Sequence, residues 1–129
     1  MRRRLAALGI AAACGLLPGC GAPALPSSGP VAYRPPVDAY MDALLSGTLH
    51  LDDECAWVES EYGDYLPVFP IGIARLDTDE LVYGGRYGDG DVIGVGGGDA
   101  NDYSGAGWYI PDGCPDLPLW AAAPPPDPG

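Results

Sequence analysis

The chain has 129 residues, with 18 Asp and Glu against 6 Lys and Arg and a single His, for a formal charge of −12. All of the acidic residues follow Cys20 while Arg2, Arg3 and Arg4 precede it, so the part beyond residue 20 carries three arginines, no lysine and a formal charge of −15. Phosphate backbones and anionic lipid surfaces repel such a chain, which argues against nucleic acid as a partner. At the N-terminus, Met1-Arg2-Arg3-Arg4 is a short basic stretch, followed over residues 5–17 by an uncharged Ala/Leu-rich run. That run is about a dozen residues, which fits the apolar region of an export signal and falls short of the roughly 20 that a transmembrane helix needs. The basic flank stays on the cytoplasmic side while the rest of the chain crosses. No later stretch is apolar and long enough to span a bilayer.

The run closes on Leu16-Leu17-Pro18-Gly19-Cys20. This resembles the lipobox of bacterial lipoproteins, in which an aliphatic residue and two small or permissive ones precede the Cys that receives the lipid. The resemblance implies a diacylglycerol on the Cys20 sulfur and cleavage just before it, so that residues 1–19 are a cleaved lipoprotein signal peptide. Pro18 departs from the usual Ala or Ser. Cys14 is the rival site, but Ala11-Ala12-Ala13 lacks the aliphatic residue three positions upstream. Two or three acyl chains, palmitate among them, anchor stably because each buried methylene contributes about 0.8 kcal/mol and one chain alone binds only reversibly. The implied location is the cell envelope, on the outer side of the membrane.

Residues 20–37 are rich in Pro, Gly and Ser and read as a semi-extended tether. Residues 121–129, Ala121-Ala122-Ala123-Pro124-Pro125-Pro126-Asp127-Pro128-Gly129, read as a tail of the same kind. The folded domain is then about 38–120. Within it, Val37, Tyr40, Met41, Leu44 and Leu45 recur at helical spacing, with Asp38 near the start and Gly47 past the end, which predicts one short helix. Thr48-Leu49-His50-Leu51 and Cys55-Ala56-Trp57-Val58-Glu59 flank a polar turn and predict a hairpin. Tyr65-Leu66-Pro67-Val68-Phe69 and Ile71-Gly72-Ile73-Ala74-Arg75-Leu76 are extended runs, and Pro67 marks an edge strand or bulge. Leu81-Val82-Tyr83-Gly84 and Asp91-Val92-Ile93-Gly94-Val95 predict a second hairpin, and Trp108-Tyr109-Ile110 a last short strand. The expected class is mainly β, a small antiparallel barrel or sandwich with one short N-terminal helix and one disulfide. The expected core is Leu49, Leu51, Trp57, Leu66, Val68, Ile71, Ile73, Leu81, Val92, Ile93, Val95 and Ile110.

Gly47-Thr48-Leu49, Cys55, Leu66-Pro67-Val68-Phe69-Pro70, Gly90-Asp91-Val92-Ile93, Gly96-Gly97-Gly98 and Pro111-Asp112-Gly113-Cys114 together resemble short exported β domains of high-GC Gram-positive bacteria. The resemblance covers most of residues 47–115 and implies no activity. Of the four Cys, Cys14 leaves with the signal peptide and Cys20 is taken by lipid. Cys55 and Cys114 remain as an even pair in an exported domain, where oxidation persists. A Cys-ligated metal fails on count, with two Cys, one His and no close Cys-x-x-Cys spacing.

Candidate chemistry is sparse. His50 sits between Leu49 and Leu51, so alternation turns it to solvent, and none of the serines lies in a nucleophile-elbow context. Glu59, Glu61, Asp64, Asp89 and Asp91 offer carboxylate pairs of the kind glycoside hydrolysis uses, but an acidic surface supplies such pairs by chance. Asp89, Asp91, Asp99, Asn101 and Asp102 lie in Gly-rich loops that Ca²⁺ tolerates. No EF-hand spacing is present and turn chemistry accounts for the same residues, so no metal site is expected. Tyr83, Tyr87, Tyr103, Trp108 and Tyr109 cluster around Gly-rich loops and are the candidate ligand-binding residues, since aromatic faces beside carboxylates bind sugars or cationic groups. Core packing is the competing reading of these aromatics. The expected function is a lipid-anchored envelope protein whose β domain is a non-enzymatic binding or interaction module. Its expected partners are the membrane, through the lipid, and cell-wall glycan or an envelope protein, with no cofactor. The alternatives are a small envelope glycan hydrolase using a carboxylate pair and a structural accessory subunit.

Overall fold

A computed structural model describes residues 24–100 and 107–125. Cys20 and the lipobox therefore lie outside the described residues, as do Asn101, Asp102 and Tyr103. The described strands are β1 (Ala32–Arg34), β2 (Ala43–Leu51), β3 (Ala56–Ser60), β4 (Gly63–Pro70), β5 (Arg75–Asp77), β6 (Glu80–Val82), β7 (Arg86–Tyr87), β8 (Val92–Asp99) and β9 (Leu119–Ala122).

Local chemistry sets the first hairpins. Asp52 turns the chain between β2 and β3, its Oδ1 accepting the N–H groups of Glu54 at 2.8 Å and Cys55 at 3.0 Å, an Asx turn. β3 reverses into β4 through Ser60, whose hydroxyl donates to the Gly63 carbonyl at 2.7 Å. The register Leu49↔Val58 and Val58↔Tyr65 then continues the antiparallel meander. Leu45, Leu49 and Leu51 on β2, and Ala56 and Val58 on β3, are buried, whereas the residues between them face outward or are only half-buried.

The ring closes through less local pairings. β2 pairs antiparallel with β8, β8 antiparallel with β9, and β9 parallel with β4. Counting only the five barrel strands in chain order, the ring runs first, second, third, fifth, fourth, with the third and fifth parallel. This Greek-key connectivity is shared with OB-type barrels. At Val68, β4 has Ala32 of β1 beside it on one side and Ala121 of β9 on the other. β1 takes up a place next to β4 beyond the end of β3, where the Ala56 N–H donates to the Pro30 carbonyl at 3.0 Å. Pro67 thus sits where β4 changes partners, past its last pairing with β3, and its missing N–H breaks no rung there.

Two apolar layers result. Inside the ring, Leu45, Leu49, Val58, Phe69, Ile93, Val95, Trp120 and Ala122 pack together. Leu81 on β6 of the three-stranded β5–β6–β7 sheet that links β4 to β8, and Tyr83 just after β6, join them beside the ends of β4 and β9. Outside the ring, Ala32, Leu66 and Val68 lie under Trp108, Ile110, Leu117 and Leu119. A disulfide between Cys55 and Cys114, with Cα atoms 4.8 Å apart, fastens this cover to the start of β3.

Several expectations are corrected. The helix predicted over 37–45 does not form: residues 35–42 are irregular and Ala43 onward belongs to β2. So short a segment is a poor isolated helix, and β8 offers Ala43 to Thr48 a full ladder. The strand's alternation then separates Leu45, buried, from Leu44, 65% exposed. The domain also reaches further at both ends than predicted. Val31, Ala32 and Arg34 are buried, as are Ala121, Ala122 and Ala123. Pro-rich flanks favour extended backbone, and here that backbone completes sheets. The predicted hairpin of Leu81–Gly84 with Asp91–Val95 is absent, because β6 pairs with β5 and β7 while β8 pairs with β2 and β9. Among the expected core residues, Leu49, Leu51, Leu66, Val68, Leu81, Ile93 and Val95 are buried. Trp57, Ile71, Ile73 and Ile110 are half-buried. Val92 is 73% exposed, since neighbours on a strand face opposite sides and Ile93 takes the interior.

Candidate functional site

Of the aromatic residues singled out in the sequence, the four described ones, Tyr83, Tyr87, Trp108 and Tyr109, are not assembled into one platform. Tyr83 is 1% exposed, packs its ring 5.1 Å from Phe69 and donates its hydroxyl to the Ala123 carbonyl at 2.6 Å. Tyr87 packs half-buried against the same core. The Tyr109 hydroxyl donates to the Gly29 carbonyl at 2.6 Å. Trp108 borders open space, in a cleft described below.

Burial raises the Tyr83 hydroxyl to about 12. Its folded pKa then exceeds the unfolded value near 10, so the stability tied to its neutral form is complete below pH 10 and falls as pH rises toward 12. Wild type is therefore expected to lose stability between pH 10 and 12 more steeply than Tyr83→Phe, measured by urea unfolding across that range. Equal slopes would sink this account.

Several of the described acidic residues act in turns and surface pairs. Asp89 Oδ1 accepts the Leu51 N–H at 2.9 Å and Asp91 Oδ2 the Gly88 N–H at 2.8 Å. Asp99 ends β8, exposed. Among the described residues, no three His, Cys, Asp or Glu side chains stand together as a metal site. His50, on the outer side of β2, stacks on Trp57 with centroids 4.1 Å apart and bonds Glu59 Oε1 through Nε2 at 2.7 Å. That arrangement clasps β2 to β3 on the surface. Asp77 lies below the ordinary carboxylate range because Arg86 bonds it at 2.8 Å, the direction opposite to the one a general acid requires.

The three arginines beyond Cys20 differ in their surroundings. Arg86 bridges Asp77 and Glu80, and Arg75 lies 3.9 Å from Asp77, all on the small exposed sheet. Arg34 is 8% exposed and has no carboxylate partner among the described residues. Its Nη2 donates to the Ala122 carbonyl at 2.9 Å, and its Nε finds no acceptor. Burial lowers its pKa, an effect that Tyr40 opposes, and an arginine remains charged at neutral pH regardless.

Backbone pairing explains the position of Arg34. Tyr33 and Tyr109 exchange N–H···O bonds of 3.0 and 2.8 Å, an isolated antiparallel bridge. This sets Trp108 beside Arg34, with the guanidinium carbon 5.8 Å from the indole centroid. The two residues, with Val37, Tyr40, Met41 and Ala121, line a cleft of about 510 Å³. Gly98 makes room for its far wall: a Cβ there would lie 2.5 Å from the Met41 sulfur and 2.8 Å from its Cβ. Gly98→Ala is expected to push Met41 into the cleft at a cost of about 1–3 kcal/mol, read as a lower urea midpoint and a shifted Trp108 indole resonance. An unchanged Trp108 signal would show that Met41 moves elsewhere.

Much of the outer face of β3 and β4 is occupied by Trp108, Ile110 and Leu117. The open cleft lies at the edge of that cover. Sequence reading missed it: Arg34 stands before Pro35-Pro36 in the stretch read as tether, and the only available signal was an arginine in a lysine-free chain of high negative charge. No protein-family model, curated protein or solved structure matches the chain.

Proposed function

We propose that this chain is a non-enzymatic, lipid-anchored binding domain of the cell envelope, and that its ligand occupies the cleft between Arg34 and Trp108. The observation that carries the binding role is Arg34 itself, a buried cation at the wall of an apolar cleft with one main-chain carbonyl as its described acceptor. A cation taken out of water without a counter-charge is costly, and a ligand that supplies the missing partner recovers that cost. The cleft volume lies within the range of small-molecule sites. Anchoring rests on the Leu17-Pro18-Gly19-Cys20 resemblance, and the Cys55–Cys114 disulfide is compatible with an exported domain. The test of anchoring is metabolic labelling with an alkyne analogue of palmitate. Label is expected in the wild-type protein and absent from Cys20→Ser, and label retained by the variant would overturn the lipid assignment.

A further inference from the structure

We propose that the Arg34–Trp108 cleft takes a small monocarboxylate with an apolar body, the carboxylate on the Arg34 guanidinium and the body against Trp108, Tyr40 and Met41. This rests on the reading of that cleft as the binding site. Donors and charge select the head-group. A guanidinium presents five N–H groups in a planar fork that matches a carboxylate. Here Nη2 has the Ala122 carbonyl, while Nε is shielded from solvent without an acceptor. A buried donor left unmatched carries its full desolvation penalty, and an incoming anionic oxygen removes it.

The charge of the ligand follows from the same walls. Arg34 is the one charged residue among the described residues that line the cleft. One negative charge is therefore matched, and a neutral ligand leaves the guanidinium as it was. A dianion brings a second charge that no described residue of the cleft compensates, into a chain whose net charge is already strongly negative. The body meets the remaining described lining, which is aliphatic or aromatic apart from the Tyr40 hydroxyl. Trp108 lies near the outer limit of a cation–π contact. One wall can also give way: no backbone hydrogen bond among the described residues involves 35–42, so Tyr40 and Met41 can shift to admit a head-group toward Nε.

Octanoate, octanol and octyl phosphate test the proposal as monoanion, neutral and near-dianion of one chain length. Each is titrated at pH 7 into the oxidised protein while the indole N–H resonance of Trp108 is followed by NMR, with Trp108→Phe identifying the signal. Octanoate is expected to bind at least about 10-fold more tightly than the other two, and Arg34→Met to weaken octanoate roughly 10- to 100-fold while leaving octanol unchanged. Should Arg34→Met fail to fold, Tyr40→Asp, at an exposed rim position, is expected to weaken octanoate selectively by charge repulsion. If octanol binds as well as octanoate, or if neither variant affects octanoate, the carboxylate proposal falls while the cleft stands as a binding site. If none of the three probes moves the Trp108 resonance, the binding-site reading itself falls.

Discussion

Replacing Cys55 and Cys114 together by Ser is expected to remove about 4 kcal/mol of stability, the chain-entropy value for a crosslink closing a loop of this length. The two residues are 59 apart in sequence, spanning most of the barrel. Small domains retain only about 5–15 kcal/mol in total, so the doubly substituted protein should unfold at far lower urea concentration. Loss of the bond has a local consequence as well. The cover formed by Trp108, Ile110 and Leu117 is joined to the barrel chiefly by that bond, the Tyr33–Tyr109 bridge and apolar contact. Once it is freed, Leu66 and Val68 become accessible from outside, and their amides should exchange faster than those of Leu49 and Val95. A loss below about 1 kcal/mol, or uniform exchange, would show that apolar contact alone holds the cover in place.

Gly97→Ala is expected to cost about 3 kcal/mol or more, with the β8–β9 seam as the point of failure. Gly97 has φ of +136° and pairs with Ala122, and a Cβ added to it would fall inside the Ala121 carbonyl. That obstacle is backbone of the neighbouring strand, so no rotamer change relieves it. Gly90→Ala provides the control. Gly90 also has positive φ, +91°, but nothing lies within 4 Å of its would-be Cβ, and it should show only the conformational part, about 1 kcal/mol. The difference between the two urea midpoints isolates the close approach at the seam. Equal losses would mean that the seam adjusts freely and that the left-handed backbone alone demands glycine.

Much of the local architecture was legible in the sequence, and the long-range closure was not. Sorting the four Cys by export and lipid left the pair that the structure bonds. Leu-x-Leu alternation and an Asp at the turn identified the β2–β3 hairpin. By contrast, the sequence reading ended the strand now called β8 at Val95, because a Gly-rich run lacks the side chains that favour a strand. Gly97 and Gly98 belong to that strand for a reason visible only in three dimensions, the backbone of β9 against one and Met41 against the other. The parallel pairings of β4 with β1 and β9 join segments more than thirty residues apart and leave no local signature. The cleft was hidden likewise, since Arg34, Tyr40, Trp108 and Ala121 meet only once the barrel has closed. The described aromatics among those gathered by sequence proximity fell instead on different sides of the sheet system, with Tyr83 deep in the core.

The point at which the chain joins the barrel bears on how far this domain would operate from a lipid carried on Cys20. With Pro30 already seated against β3, about ten residues separate the domain from Cys20. Even fully extended, that many residues span at most about 35 Å. A lipid on Cys20 would therefore keep the barrel hugging the bilayer, sampling a shell hardly deeper than its own diameter. Molecules leaving or entering the membrane would pass within its range, whereas structures in the outer layers of a thick wall would stay beyond it.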